Sequence, residues 1–152
     1  MEIKIHRATT ENAEQIIEFQ ICMAEETENL QLNPTKVRNG VLAVLEKKVD
    51  GEYWVLTDSK SILGCCLLLK EWSDWRCQSV LWIHSVYIRP EERGKGYFKK
   101  LYLSLQQMVL DHPEIAGLRL YVDKSNSRAQ KIYQTIGMNA EHYDLYEWMR
   151  PT

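Results

Sequence analysis

The sequence predicts one mixed α/β (α+β) domain over residues 1–152, with elements in the order β-α-α-β-β-β-α-β-α-β-β, a mixed central sheet and helices on both faces. Three observations support this. A chain of 152 residues suits a single domain with one sizeable core. Three strand-like runs joined by short turn signals follow one another between Tyr53 and Ile88, as in an antiparallel meander. After Ile88 the pattern changes to helix, strand, helix, a crossover that should return the chain parallel to the strand it left.

In chain order, Ile3–Ile5 reads as a short first strand. Thr10 can cap a helix over Glu11–Glu26 that places Ala13, Ile16, Ile17, Gln20, Ile21 and Ala24 on one face. Asn33-Pro34 starts a second helix, with Asn33 as cap and Pro34 in the first turn, and Val37, Val41, Leu42, Val44 and Leu45 carry it to about Lys48. Asp50-Gly51 is a turn, Tyr53–Thr57 a strand and Asp58–Ser61 a hairpin turn. Ile62–Lys70 and Val80–Ile88 complete the meander, the latter rich in β-branched and aromatic residues. A helix runs from about Gly96 to Asp111, with Phe98, Leu101, Leu105, Met108 and Val109 as its apolar stripe, and His112-Pro113 ends it. Leu118–Val122 is the next strand, and Asn126–Ile136 a helix closed by Gly137. The tail from Met138 to Met149 is expected to hold two short strands, the second carrying Tyr143, Tyr146 and Trp148.

Composition excludes several classes. With 45% apolar and 26% charged residues the chain is globular, not disordered. A net charge of −2 gives no basic surplus for nucleic acid. The N-terminus has no apolar signal region, and the longest apolar stretch, Ile62–Leu69, falls far short of the roughly 20 residues that span a bilayer, so a cytoplasmic location is expected, with no membrane partner. Cys22, Cys65, Cys66 and Cys77 lack zinc-site spacing and read as reduced core cysteines; no metal is expected.

The most informative stretch is Ile88–Phe98, IRPEERGKGYF, in which a strand ends at Pro90, a Gly-rich turn follows and an amphipathic helix begins. Amides at a helix start lack intrahelical partners and point outward, and the helix dipole adds positive potential, so an anion is favoured there. Glycines permit close approach of the backbone, and Arg93, Lys95, Lys99 and Lys100 add cationic donors. A diphosphate is the natural guest. The P-loop pattern is absent, and the third glycine of a Rossmann fingerprint is missing after Gly94-x-Gly96.

Val86-Tyr87-Ile88-Arg89-Pro90 followed by Arg93-Gly94-Lys95-Gly96 resembles the acetyl-CoA motif of the GNAT (Gcn5-related) N-acetyltransferase superfamily, a V-x-P strand end followed by (R/Q)-x-x-G-x-(G/A). Arg93 and Gly96 fill the first two fixed positions, and Phe98 stands where Gly or Ala is usual. About 30 residues on, Asn126, Ala129, Tyr133, Gly137 and Met138 match that family's N-x-x-A-x-x-x-Y-x-x-x-G-(F/M) block. The hairpin EWSDWR with the strand WIHSVYI is similar to a bacterial subgroup of the family with no assigned substrate.

The resemblance implies acetyl-CoA as co-substrate, held between the Val80–Ile88 and Leu118–Val122 strands by Val86, Tyr87, Ile88, Arg93, Gly94, Lys95, Gly96, Tyr97, Phe98, Asn126 and Tyr133. From Ile88 back to His84 is about 13 Å of strand, which puts the thioester near Trp82–Ser85. Tyr133 matches the family's general acid, with a packing tyrosine as the alternative, and Asn126 either bonds the pantetheine or caps its helix. Backbone amides around Ser85–Tyr87 would polarise the carbonyl. The strand position that often carries a catalytic glutamate in the family is Trp82 here. His84 is therefore the candidate base, and an unbulged strand would put Trp82, His84 and Val86 on one face. A structural histidine and deprotonation by solvent are the alternatives, and Cys65 or Cys66 as an acyl carrier lacks a visible base.

An acceptor would meet Glu25, Glu26 and Glu28 on the loop between the first helices, Asp74 and Trp75 in the hairpin, and Trp82. Carboxylates and rings suit a cationic amine, though a solvated acidic loop and a Trp-packed hairpin explain the same residues. The expected activity is transfer of an acetyl group to a primary amine of a small molecule or peptide, by direct attack in a ternary complex. The competing reading is a non-catalytic acyl-CoA-binding sensor or scaffold. A homodimer is compatible with either.

Overall fold

The computed structural model describes residues 2–152, which form two compact units, one ending at Arg119 and the other spanning Leu120–Thr152. The first unit contains β1 (Lys4–Arg7), α1 (Ala13–Glu28), α2 (Pro34–Leu45), β2 (Gly51–Thr57), β3 (Ile62–Ser73), β4 (Gln78–Ile88), α3 (Tyr97–Asp111) and β5 (Ile115–Arg119). Its strands make one sheet in the order β1-β2-β3-β4-β5. The first four pair antiparallel, as a meander must, and β4 pairs with β5 in parallel after the α3 crossover. Among the described residues no helix is long and apolar enough to cross a membrane.

Burial explains the layering. Ile16, Phe19, Val55 and Cys65 are fully or almost fully buried in one cluster with Val41, Val44, Tyr53 and Tyr87, so α1 and α2 cover that face of the sheet. Each such aliphatic or aromatic side chain stabilises the fold by about 1.5–3 kcal/mol. The alternate residues Trp54, Leu56, Cys66 and Leu68 are buried too but lie outside that cluster. On α3, Leu101 and Leu105 are equally buried and also lie outside it, which argues that α3 covers the opposite face. Cys65 and Cys66 thus divide between the two faces, as adjacent strand residues do, whereas Cys22 is only half-buried and Cys77, in the β3–β4 turn, is exposed and not a core residue.

Local chemistry sets the ends. Asn33 Oδ1 accepts from the Lys36 amide at 3.0 Å and Pro34 opens α2, as expected. That helix stops at Leu45, earlier than Lys48, because Lys47 takes a left-handed φ of 62°. Before α1 a 3-10 turn covers Thr10–Asn12, so the helix begins at Ala13 and Thr10 is not its cap; Asn12 Oδ1 instead accepts from the Thr9 amide at 2.9 Å. Asp58 Oδ1 closes the β2–β3 turn by accepting from the Lys60 and Ser61 amides, both at 2.7 Å.

Two expectations are corrected. The strand expected at Leu118–Val122 is paired at Ile115–Arg119, because its ladder follows Ser79–Trp82 of β4 and leaves it at the Trp82–Arg119 pair. The two strands expected in Met138–Met149 do not form among the described residues. Among the described residues their unit contains α4 (Ser127–Thr135) and no strand. Tyr143, Tyr146 and Trp148 are 79%, 91% and 84% exposed.

Gly64 is required where β3 meets β4. A Cβ there would stand 2.5 Å from the Tyr87 carbonyl oxygen and 2.6 Å from Ile88 Cδ1. The Ile88 tip can rotate away; the carbonyl is fixed in the ladder. Gly64→Ala is expected to destabilise the fold by about 2–3 kcal/mol. The measurement is the urea midpoint at constant m, and an unchanged midpoint would show a looser strand pair than the geometry requires.

Candidate functional site

The centre of the site is an irregularity in β4. Leu67 faces His84 and Cys65 faces Tyr87, so Ser85 and Val86 together oppose the single residue Cys66. This is a β-bulge, with Ser85 in the left-handed region at φ 52°. The extra residue changes which side chains share a face. Trp82 and His84 remain together, their ring centroids 6.2 Å apart. Beyond the bulge Tyr87, not Val86, continues that face, which corrects the expectation for an unbulged strand. The Ser85 carbonyl lies 3.9 Å from the Cys65 thiol, and Gln20 donates to that sulfur at 3.8 Å, so a buried polar chain from α1 supports the bulge. Burial pushes the Cys65 thiol up to about 12, and Cys66 higher, leaving both un-ionised at neutral pH. Burial also lowers His84 below its ordinary value, which favours the neutral imidazole.

From Ile83 to Ile88 no strand pairs with the β4 edge that β5 has left, among the described residues. That edge leads through a 3-10 turn at Pro90–Glu92 into Gly94 and Gly96, both at φ 76°. Nothing lies within 4 Å of where a Cβ would stand at either glycine. The amides of Gly94, Lys95, Gly96 and Tyr97 find no backbone acceptor among the described residues. Tyr97 is buried and Lys100 Nζ lies 5.8 Å from its ring, while Phe98 packs 6.4 Å from the Tyr102 ring. A row of amides without backbone acceptors at a helix start, among the described residues, could hold a diphosphate.

Two of the four cations beside this turn, Arg93 and Lys95, are paired with carboxylates. Lys95 Nζ meets Glu92 at 2.8 Å, which raises the lysine above its usual value. Arg93 donates from Nε to the Ile88 carbonyl at 2.9 Å and through its terminal nitrogen to Glu26 Oε2 at 2.7 Å. Glu25, Glu26 and Glu28, expected on a loop, lie in the last turns of α1. In the β3–β4 hairpin Asp74 Oδ1 accepts from the Trp75 amide at 3.0 Å, and Trp75 is 92% exposed. Trp82 donates its indole N–H to Glu71 Oε2 at 2.8 Å, and Arg119 meets the other oxygen of Glu71 at 2.8 Å. Glu71 therefore joins the last paired residues of β4 and β5. Among the described residues no group of three or more His, Cys, Asp or Glu could hold a metal.

In the second unit, Asn126 Oδ1 accepts from the Ala129 amide at 3.1 Å, so this oxygen caps α4. Asp123 orders the preceding loop by accepting from the Ser125 amide and hydroxyl. Tyr133 is half-buried on α4, and burial raises its phenol above the ordinary value, keeping the proton on oxygen. Gly137, at φ 93°, ends the helix as expected, and the Met138 amide donates back to the Tyr133 carbonyl at 3.0 Å.

Residues 13–138 match the family described as acetyltransferase (GNAT). The chain belongs to the GNAT acetyltransferase family. It is similar along its whole length to a solved structure described as a possible acetyltransferase from Clostridium difficile 630, with 33% identity, full coverage of both chains and a TM-score of 0.92. A ribosomal-protein-alanine N-acetyltransferase from Brucella melitensis biovar Abortus 2308 shares the fold at 13% identity and TM-score 0.79, over 98% of this chain and all of that one. Thialysine N-epsilon-acetyltransferase of Bos taurus is 29% identical over 76 residues, half of this chain and 44% of that enzyme's length.

Within this GNAT fold, sequence reasoning missed three contributors. Gln20 and Cys65 support the bulge, and Glu71 reaches Trp82 from the neighbouring strand. Only Gln20 left a signal, as the polar member of an otherwise apolar helix face.

Proposed function

We propose that the chain transfers an acetyl group from acetyl-CoA to a primary amine of a small molecule or peptide, in a ternary complex. The observation that carries this reading is the β4 edge from Ile83 to Ile88, left by β5 and leading into the open amides of Gly94–Tyr97. A strand edge offers alternating donors and acceptors to the amide-bearing pantetheine arm, and the turn offers donors to the diphosphate. The name of the bovine relative specifies transfer to an ε-amine, which supports an amine acceptor.

Acetyl-CoA supplies the acetyl group activated as a thioester. His84, neutral at pH 7, takes the proton from the attacking amine. Backbone amides of the bulge region Ser85–Tyr87 polarise the carbonyl, and Tyr133 returns a proton to the departing thiolate. Because burial holds His84 below about 6.5, the acidic limb of kcat/KM should have its midpoint below that value, with rate rising as the imidazole loses its proton. His84→Ala is expected to remove that limb and to lower kcat/KM about 100-fold. A limb retained at the same midpoint would assign deprotonation to solvent.

The test is thiol release from acetyl-CoA over a panel of primary amines. Release above hydrolysis supports the transferase. The presence of Trp82 where the family often has a glutamate, with its indole bound to Glu71, favours the alternative of a non-catalytic acyl-CoA sensor. CoA binding without release on any amine would select it, and no CoA binding would overturn both.

A further inference from the structure

We infer that Glu26 is a positioning residue for the diphosphate turn rather than a carboxylate of the acceptor pocket, an inference that rests on the acetyl-CoA reading above. Both of its oxygens are engaged. Oε1 accepts from the Tyr87 hydroxyl at 3.1 Å and Oε2 from Arg93 at 2.7 Å. The Arg93 guanidinium also lies 5.3 Å from the Tyr87 ring centroid and holds the Ile88 carbonyl through Nε. Tyr87 is itself anchored: it is 6% exposed and its ring stands 5.0 Å from Phe19 of α1. Glu26, Tyr87 and Arg93 thus form a closed clasp between the end of α1, the strand beyond the bulge and the first residue of the turn.

The clasp acts where the backbone needs it. Arg93 is extended, at φ −71° and ψ 157°, and leads directly into Gly94 and Gly96, the two left-handed glycines that give the turn its freedom. A row of amides binds an anion tightly only when it is held in one arrangement before the ligand arrives. Fixing the Arg93 side chain to α1 and to Ile88 fixes the entry to that row. The same pairing matches the Glu26 charge with a guanidinium, which leaves little for an acceptor ammonium. Glu25 and Glu28 carry no such pairing with Arg93 and remain the acidic groups of that helix end.

Two measurements test this. Titration calorimetry with CoA should give a Kd about two- to fivefold weaker for Glu26→Gln, because a partly exposed charge pair is lost. At saturating acetyl-CoA the amine KM should stay within twofold. Hydrogen exchange in the free protein should quicken at the amides of Arg93–Lys99 and not in the strands. Arg93→Lys, which keeps the charge but loses the planar fork, should reproduce both effects, and combination with Glu26→Gln should add less than the two separately. Unchanged CoA affinity with a raised amine KM would return Glu26 to the acceptor pocket and overturn the inference, as would unchanged exchange at the turn. Wild-type protein that binds no CoA would sink the acetyl-CoA reading, while the exchange measurement would still decide the clasp.

Discussion

Replacing Tyr133 by phenylalanine is expected to lower kcat by about 100- to 1,000-fold while leaving the Kd for acetyl-CoA within threefold. The phenol is half-buried on α4, and its burial keeps it protonated through neutral pH. A protonated phenol is what a departing thiolate needs, and phenylalanine keeps the ring while removing the proton. The split between turnover and affinity is the diagnostic feature, since loss of a group used only in the transition state lowers kcat without weakening ground-state binding. Pre-steady-state turnover alongside calorimetric titration would measure both. A parallel loss of rate and affinity would make Tyr133 a packing residue.

The second large effect belongs to the turn. Valine at both Gly94 and Gly96 is expected to raise the Kd for CoA about 100-fold. Each glycine sits at φ 76°, a region that costs an L-residue about 1–2 kcal/mol. Two such penalties force the turn into another shape, and the donor row of Gly94–Tyr97 is lost with it. The Cβ itself meets no neighbour, since nothing lies within 4 Å of where it would stand at either glycine, so the penalty comes from the backbone. Calorimetry with CoA, together with circular dichroism to confirm the fold, would read the effect. A Kd within threefold of the wild type would place the diphosphate elsewhere.

Much of this architecture is legible in the sequence because the signals are local. Asn33-Pro34, the Asp58–Ser61 turn, the Gly-rich turn after Pro90 and the Asn126 and Gly137 caps each act over a few residues, and each appears where expected. What the sequence hides is pairing at a distance. The bulge at Ser85–Val86 carries no glycine and shows only as a mismatch between two ladders. The fifth strand moved because its register is dictated by Ser79–Trp82, whereas the β-favouring run Leu118–Val122 suggested a later start. Glu71 reaches Trp82 only because β3 and β4 are neighbours, and Arg93 meets Glu26 across 67 residues of chain. Charge composition located cations at the turn but not the carboxylates that pair with Arg93 and Lys95.

The bulge also bears on how this strand can change over generations. Side chains between Trp82 and Ile88 can be exchanged while the alternation is kept, and the acceptor preference can drift with them. Gaining or losing one residue there is a different matter. Losing one would straighten the strand, keeping Trp82, His84 and Tyr87 on one face but removing the left-handed residue at Ser85 and its carbonyl beside Cys65, while gaining one would enlarge the bulge or slip the pairing beyond it. Chain length in this segment is therefore expected to be far less tolerant than residue identity, and libraries aimed at new acceptors should vary composition there at constant length.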